Sequence, residues 1–223
     1  MNDLPELLLL LQHGDSFFPS GGFASSWGLE TLYAEAQVHD AATLSSFIDG
    51  QLRYRWALCD RPALLLAYQA NNLEAVAQVD AEVEALSLTR DLREASRRAG
   101  RALLRVHTQL GTVNAAEYLE RTRRGQACGH IPIAQGVAWR SLGLESASAV
   151  ALSGHLLSVS FVSAAVRLGC ISHIEAQQTL CTAQATLRDV LQHPAPTFLS
   201  AFSPMTDIAL MHHEVQSMRL FAS

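Results

Sequence analysis

Lysine is missing altogether. All 16 basic residues are arginines, and that omission removes two chemistries. A phosphate-binding Walker loop needs a lysine to reach the terminal phosphates, and Schiff-base catalysis needs a lysine amine. Charge of either sign is scarce: 17% of residues are charged, against about 25% in an ordinary soluble chain. The formal net charge is −5, which argues against a general nucleic-acid binder, because such proteins carry a basic footprint. Cysteine is sparse too. Cys59, Cys128, Cys170 and Cys181 form no CxxC pair, which points to thiols in a reducing compartment rather than a disulfide framework. The first residues, Met1-Asn-Asp-Leu-Pro-Glu-Leu7, are acidic where a secretion signal is basic. A cytoplasmic protein is expected.

What is abundant is apolar surface. Hydrophobic residues make up 49% of the 223, so part of the outside is expected to be covered by a partner or a second copy. The longest apolar stretch, residues 147–169, reaches the roughly 20 residues that span a bilayer. Its serines, His155 and the lack of flanking charge asymmetry argue against a membrane segment. Wound as a helix it shows a small face (Ala147, Ala151, Gly154, Ser158, Ala165) and a larger apolar face (Leu152, Leu156, Val159, Val166). Apolar nearly all round, it reads as the central buried helix of the fold.

Around it, helix signals follow one another. Leu4–Gln12 is a first helix closed by Gly14, and Ser25 or Ser26 caps Trp27–Gln37. Asp40 caps Ala41–Tyr54, and Pro62 sits near the start of Ala63–Asn71. Asn72 opens Leu73–Leu86, and Thr89 opens a long helix through His107. Asn114-Ala-Ala-Glu117 and Ser172-His-Ile-Glu175 both resemble capping boxes. Pro132 starts a helix that Gly143 ends, and Thr206–Phe221 closes the chain. Strand-type alternation is absent, so the expectation is one all-α domain over residues 1–223, a bundle of roughly ten helices.

Few residues suggest chemistry. Arg90, Arg93, Arg97, Arg101 and Arg105 line one helix face, either as a solvated surface with internal pairing or as a docking surface for an acidic partner or a phosphate. Among nine histidines, the nearest groupings are Cys128-Gly-His130, Cys170 with His173, and His212–His213. None has structural-zinc spacing, and adjacent helical histidines point about 100° apart, so no resident metal is expected. His155 reads as a hydrogen-bonded core histidine. No GxSxG motif occurs, and catalysis through Cys170 and His173 is kept only as an alternative, as is an arginine-faced adaptor for an unrelated acidic protein. The loop Asp15-Ser-Phe-Phe-Pro-Ser-Gly-Gly-Phe23 holds large apolar groups on a restricted backbone. The apolar ending Leu220-Phe221 either docks on the home core or on another chain.

Two stretches carry a family resemblance. Leu11-Gln-His-Gly-Asp-Ser-Phe-Phe-Pro-Ser-Gly-Gly-Phe-Ala-Ser-Ser-Trp-Gly-Leu-Glu30, with Asp15, Ser16, Pro19, Gly21, Gly22, Gly28 and Glu30 as its signature positions, resembles the start of the urease accessory protein UreF family. Asp207-Ile, Met211-His-His-Glu214 and Arg219-Leu-Phe-Ala-Ser223 resemble its end. His130-Ile-Pro-Ile, Leu142-Gly-Leu and Ser163-Ala-Ala-Val-Arg-Leu168 fall between them in matching order, while Ser25 and Cys170-Ile-Ser-His173 depart from the pattern. The resemblance implies an all-α homodimer without a reaction of its own. Such a protein bridges UreD (also called UreH) and the GTPase UreG while nickel enters apo-urease. It implies no cofactor on this chain: nickel is handled by the complex and GTP is bound by the partner. It also implies that Phe23, Arg219, Leu220, Phe221 and Ser223 face UreD. Arg97, Arg101 and Arg105 are the candidates for GTPase docking, and His212 and His213 for a transient nickel contact. Neither nucleic acid nor membrane is an expected partner.

Overall fold

The computed structural model describes residues 4–19, 25–214 and 220–221, and no strand occurs among them. The helices are α1 (Leu4–Gly14), α2 (Leu29–Ala34), α3 (Ala41–Gly50), a π-helical stretch (Gln51–Asp60), α4 (Arg61–Gln69), α5 (Leu73–Leu86), α6 (Arg90–Gln109), α7 (Ala115–Arg123), α8 (Ile131–Ser141), α9 (Ser146–Arg167), α10 (His173–Leu191) and α11 (Pro204–Glu214). The all-α expectation holds.

Several helix starts rest on the side chains the sequence offers. Asp40 and Thr43 close a capping box, with the Thr43 N–H donating to Asp40 Oδ1 at 2.8 Å. Asn72 accepts from the Ala75 N–H and Thr89 from the Leu92 N–H. Ser172 and Glu175 complete the reciprocal pair. Each such cap contributes about 1 kcal/mol by satisfying an otherwise unpaired donor.

Four local expectations are corrected. Asn114 is not a side-chain cap: it sits in the left-handed region at φ 65° and makes no cap bond, a conformation asparagine tolerates better than most residues. The helix after the front loop is shorter than Trp27–Gln37, because Trp27 at φ 54°, Gly28 at φ 85° and Ala36 at φ 56° break the helical backbone on either side. Ser26 Oγ still accepts from the Glu30 N–H at 3.4 Å. Pro62 does stand in the first turn of α4, but the gap expected between Tyr54 and Ala63 is absent. The π stretch carries α3 into α4 without interruption. Leu58 O, near the end of the π stretch, accepts from the Ser200 N–H at 2.9 Å. Finally, the last helix stops at Glu214 within the described residues, and Leu220 and Phe221 are not helical.

Two apolar clusters share the interior. The larger gathers α3, the π stretch, α9 and α10 around Leu44, Phe47, Trp56, Phe161 and Leu187, with Phe47 and Phe161 edge to face at 5.0 Å. The second joins α4, α6, α7 and α8 through Ala67, Leu103, Leu104, Tyr118 and Ile133. Each fully buried large side chain contributes about 1.5–3 kcal/mol. Every residue of α8 from Pro132 to Trp139 is buried, so α8 is enclosed between the clusters. The long α9 anchors the larger cluster, but its burial is one-sided. Ala147 and Ala151 of the supposed small face are exposed, and His155 is only half-buried. Gly154 is the position where smallness matters: a Cβ there would run into Leu187 and come within 2.9 Å of Trp56. Beside it, Trp56 Nε1 donates to Ser153 Oγ at 3.3 Å and Ser153 donates to Gln135 Oε1 at 2.9 Å, tying the π stretch, α9 and α8 together. By length and composition α9 is the one described helix that passes for a membrane span, and 56% of its apolar window is buried inside the fold.

Candidate functional site

Three neighbourhoods gather the residues of interest. The first is the front loop. Asp15 Oδ1 accepts the Phe17 N–H at 2.7 Å and Asp15 O accepts the Phe18 N–H at 3.0 Å, which fixes a tight turn. That turn sends its two phenylalanines opposite ways. Phe18 is buried against His13, ring centroids 4.6 Å apart, while Phe17 is 92% exposed. His13 and His107 stack at 5.2 Å and 7° behind Phe18. Burial first, and then the neighbouring His13, push the His107 pKa down to about 4. Asp15, Ser16 and Phe18 also rim an apolar cleft of about 90 Å³ whose walls include Trp27, Trp56 and Leu156. On α1, Leu4, Leu7, Leu8 and Leu11 are exposed. Pro19 is exposed; Gly21, Gly22 and Phe23 lie outside the described residues.

The second neighbourhood is the meeting of α2, α11 and the tail. Gly28 adopts φ 85° and packs α2 on α11, where a Cβ would stand 3.4 Å from Ala209 Cβ and Thr206 O. Glu30 receives both described tail amides: Leu220 N–H donates to Oε1 at 2.6 Å and Phe221 N–H to Oε2 at 3.1 Å. Phe221 is buried in the larger cluster, with the Arg167 guanidinium 4.3 Å above its ring, whereas Leu220 is 66% exposed. The tail therefore divides its two bulky groups between the home core and the outside. Arg219 and Ser223 lie outside the described residues. The adjacent histidines separate as helical geometry demands. His213 is fully buried, with Nδ1 2.8 Å from Asp91 Oδ2 and Nε2 3.5 Å from Glu30 Oε2. His212 points outward to Glu35 at 2.7 Å.

The third neighbourhood is the arginine face of α6 and the turn it covers. Arg90 pairs with Glu94 at 2.7 Å. Arg93 and Arg97 converge on Glu84 Oε1 of α5 at 3.5 and 3.4 Å, and Arg101 Nε donates to Cys128 O at 3.2 Å. Arg105 is exposed, and together with Glu94, Arg97, Arg98 and Arg101 it lines a shallow concavity. Beneath lies an arrangement that periodicity hid. Asp80, fully buried on α5, accepts the N–H groups of Cys128, Gly129 and His130 at 2.9, 2.6 and 3.0 Å, and the Tyr118 hydroxyl at 2.8 Å. Burial and then the Asp80 charge drive the Tyr118 pKa upward, and the same two effects raise the Cys128 thiol to about 11. His130 Nε2 lies 2.8 Å from Glu84 Oε2. Gly100 permits this approach, since a Cβ would collide with Gly129 O and come within 2.8 Å of His130. The sequence clue was the Cys128-Gly-His130 grouping alone; nothing local ties Asp80 to it.

The alternative nucleophile does not assemble. Cys170 is half-buried with its thiol pKa raised, chiefly by desolvation and then by Asp40 and Glu175. His173 is exposed, and neither shares a hydrogen bond with the other among the described residues.

Fold and surfaces together define an all-helical protein whose outward apolar groups and arginine face lie outside a closed double core. The chain belongs to the UreF family of urease accessory proteins. The family model, described as UreF, matches residues 38–184. The chain is 31% identical over 234 residues to the urease accessory protein UreF of Trichodesmium erythraeum, covering 100% of this chain and 99% of that protein. It is 34% identical over 224 residues to the Arthrobacter sp. (strain FB24) protein of the same name, covering 97% and 96%. Against the Haemophilus influenzae protein of that name the figures are 28% over 227 residues, with 99% and 97% covered.

Proposed function

We propose that this chain acts in the cytoplasm as a homodimeric, non-catalytic component of urease maturation. It bridges UreD (UreH) and the GTPase UreG so that their assembly places nickel in apo-urease, and UreG rather than this chain binds the GTP. The observation that carries the reading is the Glu30 clasp. The front signature and the chain's end, 190 positions apart, meet through one carboxylate, so one partner can engage both at once. In this reading UreD binds through Phe23, Arg219, Leu220, Phe221 and Ser223, and UreG through Arg97, Arg101 and Arg105. The exposed leucines of α1 and the outward Phe17 support a covered surface, because large apolar groups side by side are uncommon on a free exterior. His212 is exposed on α11 while His213 is buried, which supports His212 over His213 for a transient nickel contact.

Co-purification with tagged UreD and UreG, read by mass, tests the reading. Wild-type chain is expected in a complex containing both. Arg219→Ala, or removal of Leu220–Ser223, is expected to abolish UreD capture at unchanged helicity, since losing a docked anchor typically costs upwards of about 2 kcal/mol. Capture of neither partner overturns the proposal.

A further inference from the structure

Cys128 and His130 leave one short turn together, and a third donor meets them from another helix. Sγ of Cys128, a ring nitrogen of His130 and a carboxylate oxygen of Glu84 all lie within 4.8 Å of one another. We propose that these three side chains form an exchangeable binding site for a divalent transition-metal ion of the zinc, nickel or cobalt class, with a coordination position left open. The inference stands on this cluster and does not depend on the bridging role.

The donor set selects the class. One sulfur, one imidazole nitrogen and one carboxylate suit borderline-soft ions, whereas calcium and magnesium require shells of oxygen. Three protein ligands also leave room for water or for a donor from elsewhere.

The site is held in shape before any ion arrives. Asp80 grips the backbone of all three turn residues, and Gly129 at φ 83° takes the left-handed geometry between the two donors. Arg93 and Arg97 both lie on Glu84 Oε1, which leaves Oε2 facing His130 Nε2 at 2.8 Å. His130 is fully buried, yet its Nδ1 has no hydrogen-bond partner.

Loading balances simply. The Cys128 thiol gives its proton to solvent as the thiolate binds. At His130 the ion takes the place of the proton that Nε2 shares with Glu84, and that proton relocates to Nδ1. One proton leaves per ion. Arg93, Arg97 and Arg101 put positive charge around the site and weaken its hold on a cation, and Glu84 and Cys128 are half-exposed. Both features fit an ion that comes and goes rather than a structural one.

Cobalt(II) titration of the untagged, chelator-treated full chain tests this. Wild type is expected to develop a thiolate-to-cobalt band in the near ultraviolet that saturates at one equivalent per chain. Cys128→Ser should lose the band, while Cys59→Ser, Cys170→Ser and Cys181→Ser keep it. Glu84→Gln retains the thiol and should weaken apparent affinity by about tenfold or more, which keeps the test decisive if Cys128→Ser folds poorly. Absence of a band in wild type, its survival in Cys128→Ser, or unchanged affinity in Glu84→Gln overturns the proposal.

Discussion

Glu30 and Phe221 stand 191 positions apart and meet through a backbone N–H that donates to the Glu30 carboxylate at 3.1 Å. The same carboxylate takes the Leu220 N–H, so a residue of the front signature sets where the tail lies. Glu30→Ala should free the tail without unfolding the helices, because hydrogen bonds to a charged group contribute only about 1.5–3 kcal/mol each. Amide exchange at Leu220 and Phe221 is expected to accelerate in the variant, with the helical circular dichroism unchanged. Unaltered exchange would mean that Phe221 packing alone holds the tail.

Two helical glycines should respond in opposite directions. At Gly154 a Cβ meets Trp56 and Leu187, and overpacking of this kind costs about 1–3 kcal/mol, so Gly154→Ala should lower the urea midpoint. At Gly50 nothing lies within 4 Å of the added carbon, and alanine is favoured there by about 0.5–1 kcal/mol. Gly50→Ala should raise the midpoint. Equal effects in both variants would refute the packing account of α9.

Asp80→Ala removes the acceptor of three backbone N–H groups and one hydroxyl. Leaving buried donors unpaired costs about 1–3 kcal/mol each, so the loss is expected to exceed that of any exposed carboxylate by a wide margin. Urea denaturation of Asp80→Ala beside Glu120→Ala, an exposed pair on α7, measures the contrast. Near-equal midpoints would show that the turn at 128–130 is held by something else.

Acid should weaken the fold through its buried histidines. His107 has its pKa pushed down to about 4 from an ordinary 6.5, and His13 is lowered mainly by burial. The unfolded chain therefore binds a proton that the native state refuses, and stability rises with pH wherever that holds. The contribution is complete above 6.5 and is lost as pH falls from 6.5 towards 4. Urea midpoints should drop across that window, and His107→Gln should flatten the slope. An unchanged slope would assign the acid sensitivity to other groups.

Much of the fold was legible because its signals are local. Asn72, Thr89 and the Ser172–Glu175 pair name helix starts by their own chemistry, and the structure uses all of them. Signals that depend on distant partners were not legible. Pro62 reads as a beginning after a gap, but the π stretch fills that gap and joins α3 to α4. Asn114 carries a capping side chain but was needed for its backbone angle. The Cys128-Gly-His130 grouping was visible, yet the carboxylates Asp80 and Glu84 that organise it come from a different helix, α5. Of the tail, sequence offered two destinations for Leu220 and Phe221 together, and the structure buries Phe221 in the home core while leaving Leu220 exposed.

The uninterrupted passage from α3 through the π stretch into α4 has a thermodynamic consequence. Its first two-thirds supply Leu44, Phe47 and Trp56 to one interior cluster, and its last turns supply Ala63 and Ala67 to the other. Melting either half frays a shared spine, so the two interiors cannot come apart in sequence. Calorimetry should record a single heat-absorption peak whose van't Hoff and calorimetric enthalpies coincide.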